Sequence, residues 1–120
     1  MEAHENEIWS MTGLRSERTS LPNGIAIWIY SQGPSQPSGP PRIKVSKIRG
    51  KFPTRDLDYF SVSISEMPRV CIGSSDGFPA CELEAIFTWV RQNMLALLDF
   101  WHSDSMDYED IKSLLTPLND

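Results

Sequence analysis

Between Cys81 and His102 large apolar side chains recur at helical spacing. Leu83, Ile86, Phe87, Val90, Met94, Leu97, Leu98 and Trp101 follow the i, i+3, i+4, i+7 pattern and fall on one stripe. The spacing predicts one long helix over about 80–102, opened by Pro79, with Glu82 and Glu84 in the first turns, where the positive end of the helix dipole favours them. Trp89, Ala96 and Phe100 form a second apolar strip round the same helix. The plainer reading is a wide buried face covered by a C-terminal helix. The sharper one is an exposed aromatic patch for a partner, or for a second copy of the chain in a homodimer.

Upstream the period changes to two. Pro22-Asn23-Gly24 is a turn signal, and in the following Ile25–Tyr30 run Ile25, Ile27 and Ile29 alternate with Trp28 and Tyr30, which predicts a strand apolar on both faces. Residues 31–41 hold four prolines and two glycines and read as a surface loop; a polyproline-type recognition segment is the functional alternative. Arg42–Ile48 resumes alternation, with Ile43 and Val45 inward, Lys44 and Ser46 outward, and a phase break at Ile48. In Leu57–Ser65, Phe60, Val62 and Ile64 oppose Ser61, Ser63 and Ser65, which predicts a half-solvated antiparallel strand. Glu66-Met67-Pro68 then forms a hairpin connection to a strand at Arg69–Ile72. Ser103-Asp104-Ser105 can cap a short helix carrying Ile111, Leu114 and Leu115. The predicted fold is α+β: an antiparallel sheet of three or four strands packed against the long helix and a short C-terminal helix. Residues 1–20, with scattered apolar positions at Ile8, Trp9, Met11 and Leu14, read as an N-terminal extension or short helix, and 21–120 as a single domain.

Charge adds an asymmetry to this picture. The chain of 120 residues has a formal charge of −5, but residues 1–55 carry +4 and residues 56–120 carry −9. Nothing near the N-terminus resembles a secretory signal and no apolar run is long enough for a bilayer, so a cytoplasmic protein without a membrane role is expected. Cys71 and Cys81 stand ten residues apart and read as reduced, buried small hydrophobes; with His4 and His102 near opposite ends, neither a metal site nor another cofactor is predicted.

Arg42, Lys44, Lys47, Arg49, Lys51 and Arg55 place six cations within fourteen residues with no acid among them. Such a run can neutralise phosphates, and Phe52 within it could stack on a base, the combination used for single-stranded nucleic acid. The alternatives are an acidic protein surface, a solvated strand face, or an internal complement to the acidic C-terminal region. Asp99, Asp104, Asp107, Glu109 and Asp110 form the opposite cluster, read as a solvated helix end or as a phosphate-like surface competing for another protein's nucleic-acid site. Gly73–Gly77 lacks the lysine and spacing of a phosphate-binding loop and reads as a tight connection. No serine, histidine or carboxylate arrangement predicts catalysis.

Ile25–Tyr30, Pro40-Pro41-Arg42-Ile43-Lys44-Val45, Trp89-Val90 and Phe100-Trp101 occur in an order that resembles the small bacterial proteins of the domain of unknown function 4160 family, over about residues 24–102. Members have two histidines in the segment corresponding to residues 40–45, and here Arg42 and Lys44 stand at those positions. If those histidines bind metal or move protons, two permanent cations cannot replace them. The resemblance implies a small cytoplasmic bacterial or mobile-element protein, often encoded beside regulatory or toxin–antitoxin-like genes, with no established activity. The expected function is therefore a non-enzymatic interaction module that binds a protein partner through the basic segment, through Trp89 and Phe100, or through both. An inhibitor from a phage or mobile element, blocking a host nucleic-acid-binding defence complex, has this size and charge. The alternative is a nucleic-acid-binding regulator or toxin–antitoxin component using residues 42–55.

Overall fold

Strand alternation and helical period both come from the need to bury one face, and here they bury it against each other. The computed structural model describes residues 11–30, 40–102 and 108–118. In chain order the elements are β1 (Met11–Leu14), α1 (Ser16–Thr19), β2 (Ile27–Tyr30), β3 (Arg42–Ser46), β4 (Tyr59–Ser63), β5 (Val70–Ile72), α2 (Ala80–Gln92), α3 (Met94–His102) and α4 (Tyr108–Leu114). The five strands form an antiparallel meander in the order β1-β2-β3-β4-β5. The fold is α+β, with one strand more than the sequence pattern predicts. That strand is β1, which takes residues 11–14 into the sheet as an edge. The domain thus includes part of the segment read as an extension; residues 1–10 and His4 lie outside the described residues.

Cross-strand register sorts the side chains onto two faces. Leu14, Ile27, Val45 and Phe60 pair in one row, with Ile43 and Val62 beside them, and all six are buried. This face meets Ile86, Trp89, Val90, Leu97, Phe100 and Ile111 from the helices. The second face carries the row Gly13, Trp28, Lys44, Ser61 and Ile72, one residue from each strand. β4 is not half-solvated, because Tyr59 and Ser61 on this second face are buried too. The cover over Tyr59 is the loop between β3 and β4, which folds back over the sheet.

Two glycines make close approaches possible. At Gly13 a Cβ would sit 3.0 Å from the Phe52 ring, so the bare backbone of β1 is what lets that ring lie down. At Gly73, φ is +77° and a Cβ would stand 3.1 Å from the Tyr59 carbonyl oxygen, so the turn after β5 both requires the left-handed region and presses on backbone.

The apolar stripe over 80–102 is helical, but in two segments. At Asn93 the backbone leaves helical values (φ −109°, ψ 16°), although the Asn93 amide still donates to the Trp89 carbonyl (3.0 Å) and that of Leu97 to the Asn93 carbonyl (2.9 Å). The Asn93 side chain accounts for the break. Its Nδ2 donates to the carbonyls of Trp89 and Thr116 (both 3.0 Å), and its Oδ1 accepts the Thr116 amide (2.8 Å) and hydroxyl (3.2 Å). An asparagine amide offers the same donor and acceptor as a peptide group, so it holds the chain after α4 as a neighbouring strand would. Gln92 donates to the Thr116 hydroxyl (2.6 Å), and the Leu118 amide donates to the Thr19 carbonyl (2.7 Å), which fastens the tail to α1. The capping signal at 103–105, with Asp104 and Asp107, and the proline-rich residues 31–39 lie outside the described residues.

Candidate interaction surface

A run of cations becomes a binding surface only where the fold leaves its charges toward solvent, and here the six divide. Arg42 is buried: its guanidinium lies 5.7 Å from the Trp101 ring and donates to the Pro40 carbonyl (3.0 Å). Lys44 is half-buried, its ammonium 5.3 Å from the Tyr59 ring. Arg49 donates to the Glu82 carboxylate at 2.5 Å and stacks 4.5 Å from the Phe78 ring. These three hold the fold together. Arg55 is exposed and shares Asp58 at 3.1 and 3.3 Å. Lys51 is exposed and Lys47 half-buried, and neither makes a side-chain hydrogen bond or ion pair among the described residues. The strand-borne part of the basic run is therefore internal, and the cations left available, Lys47, Lys51 and Arg55, lie in the loop at 47–57 between β3 and β4.

That loop is firmly seated. The Lys47 amide donates to the Asp58 carbonyl (2.8 Å) and closes its base. The Gly50 amide donates to the Gly24 carbonyl (2.7 Å), tying it to the turn before β2. The Tyr59 hydroxyl accepts Trp28 Nε1–H (2.8 Å) and donates to the Pro53 carbonyl (2.6 Å). Phe52 packs on Trp28 at 4.9 Å between centroids, with the Arg15 guanidinium 5.1 Å above the Phe52 ring and donating to the Gly50 carbonyl at 3.4 Å. Phe52 is thus half-buried between Trp28, Gly13 and Arg15, and a base cannot stack on it without displacing Arg15. Two apolar side chains of the same loop, Ile48 and Leu57, remain exposed on either side of the closure at its base.

Behind the loop lies a charged hub that periodicity does not reveal. Glu82 is almost fully enclosed (5% side-chain exposure, against 38% for Arg49) and accepts hydrogen bonds from Arg49 and from Asn23 Nδ2. Burial by itself pushes the Glu82 carboxyl up, but the two hydrogen bonds and the Arg49 charge outweigh it and hold the group below the ordinary range. Asn23 reaches Glu82 from a left-handed backbone position (φ 57°) that asparagine tolerates better than most residues. The hub joins the Pro22–Gly24 turn, the basic loop and the first turn of α2. The sequence signals were present separately, as the Pro-Asn-Gly turn and a glutamate near a helix start, but nothing in their spacing of 59 residues pairs them.

Trp89 and Phe100 do not form an exposed strip. They are 1% and 2% exposed and pack into the core, because the bend at Asn93 and the seating of α4 through Ile111 widen the buried face to include them. A partner or homodimer contact through these two rings is therefore excluded in this fold. Asp99, Glu109 and Asp110 are exposed, and Glu109 lies 3.9 Å from Lys112. Cys81 is exposed rather than buried, and Cys71 is half-buried, both as free thiols. Burial pushes the Cys71 thiol up against the charges of Arg42 and Arg69, which keeps it neutral and weakly nucleophilic. Among the described residues no group of three or more histidine, cysteine or acidic side chains converges as metal ligands, and no helix is long and apolar enough to cross a membrane. No family model, curated protein or solved structure matches the chain.

Proposed function

We propose that the protein is a non-enzymatic interaction module that binds an acidic protein partner through the loop at 47–57. The observation that carries this reading is the composition of the loop surface: Lys47, Lys51 and Arg55 lie in one seated segment with the exposed apolar residues Ile48 and Leu57. Mixed apolar and cationic surfaces suit protein partners, where apolar contact supplies affinity and charge supplies orientation and rate. A single-stranded nucleic acid would use aromatic platforms instead, and Phe52, Trp28 and Tyr59 are engaged with one another or with the loop backbone. The nucleic-acid-binding regulator is the second reading, favoured only by the sign of the charge. At the positions where the resembled family has histidines, Arg42 and Lys44 serve sheet packing, which leaves recognition to the loop. In the cell the reading is that of a cytoplasmic binding protein, of which a phage or mobile-element inhibitor of a host complex is one form.

The test is retention of partners from source-cell lysate on immobilised protein, with nuclease treatment and a Lys47→Glu/Lys51→Glu variant alongside. A stoichiometric protein that survives nuclease and is lost with the variant is the expected result. Retention of nucleic acid alone, weakening steeply with salt, would replace this reading with the regulator.

A further inference from the structure

Away from the basic loop, the bend in the helix opens a groove between the α2–α3 junction and the end of α4, lined by residues 91–96, Asp99, Leu114 and Thr116. Two of its leucines face solvent: Leu95 is 75% exposed and Leu114 50%. Leu95 stands at the midpoint of a charge pattern, with Arg91 four residues before it and Asp99 four residues after. Both charged residues are exposed and line the same groove. Arg91 donates to the Thr88 hydroxyl (3.3 Å), and neither Arg91 nor Asp99 makes an ion pair among the described residues.

We infer that this groove is the contact of a twofold dimer, with a second copy of the chain as its occupant. Because the amide-to-carbonyl bonds run on through the bend, from Asn93 to Trp89 and from Leu97 to Asn93, Arg91 in α2 keeps helical spacing to Leu95 and Asp99 in α3. A twofold axis through Leu95 then lays the two junctions antiparallel and sets residues equally far from Leu95, on opposite sides of it, against each other. Arg91 of one copy then meets Asp99 of the other, twice by symmetry, and Leu95 enters the groove beside Leu114. The same operation pairs Thr88 with His102, so no like charges meet along this helix line. A parallel arrangement would instead set Arg91 against Arg91 and Asp99 against Asp99. The charge pattern is complementary to its own reverse, which argues for a second copy run antiparallel, and the surface is separate from the loop assigned to the partner.

Sedimentation equilibrium of the full chain, from about 1 to 200 μM at low salt, tests the inference. The wild type is expected to pass from monomer to dimer over that range, and Leu95→Asp to remain monomeric. Arg91→Asp and Asp99→Arg each turn two attractive pairs into repulsive ones, and each is expected to weaken the dimer about tenfold. The double variant R91D/D99R restores complementary pairs and should recover most of the wild-type association. Circular dichroism of each variant separates loss of the dimer from loss of the fold. A folded wild type that is monomeric throughout, a dimer indifferent to Leu95→Asp, or a double variant no better than the singles would each overturn it.

Discussion

Replacing Glu82 by glutamine should loosen three segments at once. The carboxylate accepts a hydrogen bond from Asn23 and one from Arg49, and it lies in the first turn of α2. Hydrogen bonds to charged groups contribute roughly 1.5–3 kcal/mol each, and an acid near a helix N-terminus adds about 0.3–1 kcal/mol. Two discounts apply. Arg49 is 38% exposed, so water takes up part of its lost bond, and the glutamine carbonyl keeps one of the two acceptor roles. The expected net loss for Glu82→Gln is about 2–3 kcal/mol, which for a domain of this size lowers the midpoint of thermal unfolding by about 10 °C. The pH dependence sharpens the test. Because the folded carboxyl titrates below its unfolded value, its contribution is present above the ordinary glutamate range and is lost as pH falls through the folded value. Urea unfolding followed by tryptophan fluorescence at pH 7 and at pH 3.5 should therefore show a gap between wild type and variant that narrows in acid. A variant as stable as wild type at pH 7, or a gap that does not change with pH, would show that the Glu82 carboxylate does not hold the three segments together.

Further consequences follow from the same contacts. Gly73→Ala places a Cβ against the backbone of β4 at positive φ and should cost about 2–3 kcal/mol in urea unfolding, whereas Gly77→Ala, with open space round its Cβ, should cost less. Asn93→Leu removes four hydrogen bonds to the helix and the tail, and should cost about 2–4 kcal/mol and make the chain after α4 more sensitive to limited proteolysis. Trp28→Phe deletes the bond to the Tyr59 hydroxyl while leaving an aromatic ring against Phe52; a loss of about 1 kcal/mol and faster amide exchange in the 50–55 loop are expected.

The parts of the fold that sequence reveals are those set by one-dimensional period. Ile27, Ile29, Ile43, Val45, Phe60 and Val62 alternate because they face one layer of helices, and Ile86, Val90 and Leu97 recur because they face it back. What periodicity hides is contact between segments far apart in the chain. Asn93 interrupts a continuous helical stripe because of an amide 23 residues downstream. Serine at 61 reads as solvent-facing, yet it is buried on a sheet face whose neighbouring Tyr59 lies under a returning loop. The candidate surface shows the same division. Six cations in a run are visible as charge, but that Arg42, Lys44 and Arg49 are taken up by Trp101, Tyr59 and Glu82 follows only from register and loop closure. β1 escaped for a simpler reason: four residues, one of them glycine, give too short an alternation to separate a strand from a helical turn.

Recognition of an acidic protein by the loop at 47–57 can be read by photo-crosslinking from the loop itself. A photoreactive residue placed at Lys51, with one at exposed Glu84 as the control, is activated in source-cell lysate. A single protein adduct is expected from position 51, absent from position 84 and suppressed by Lys47→Glu. Adducts to nucleic acid alone, or the same proteins captured from both positions, would contradict it.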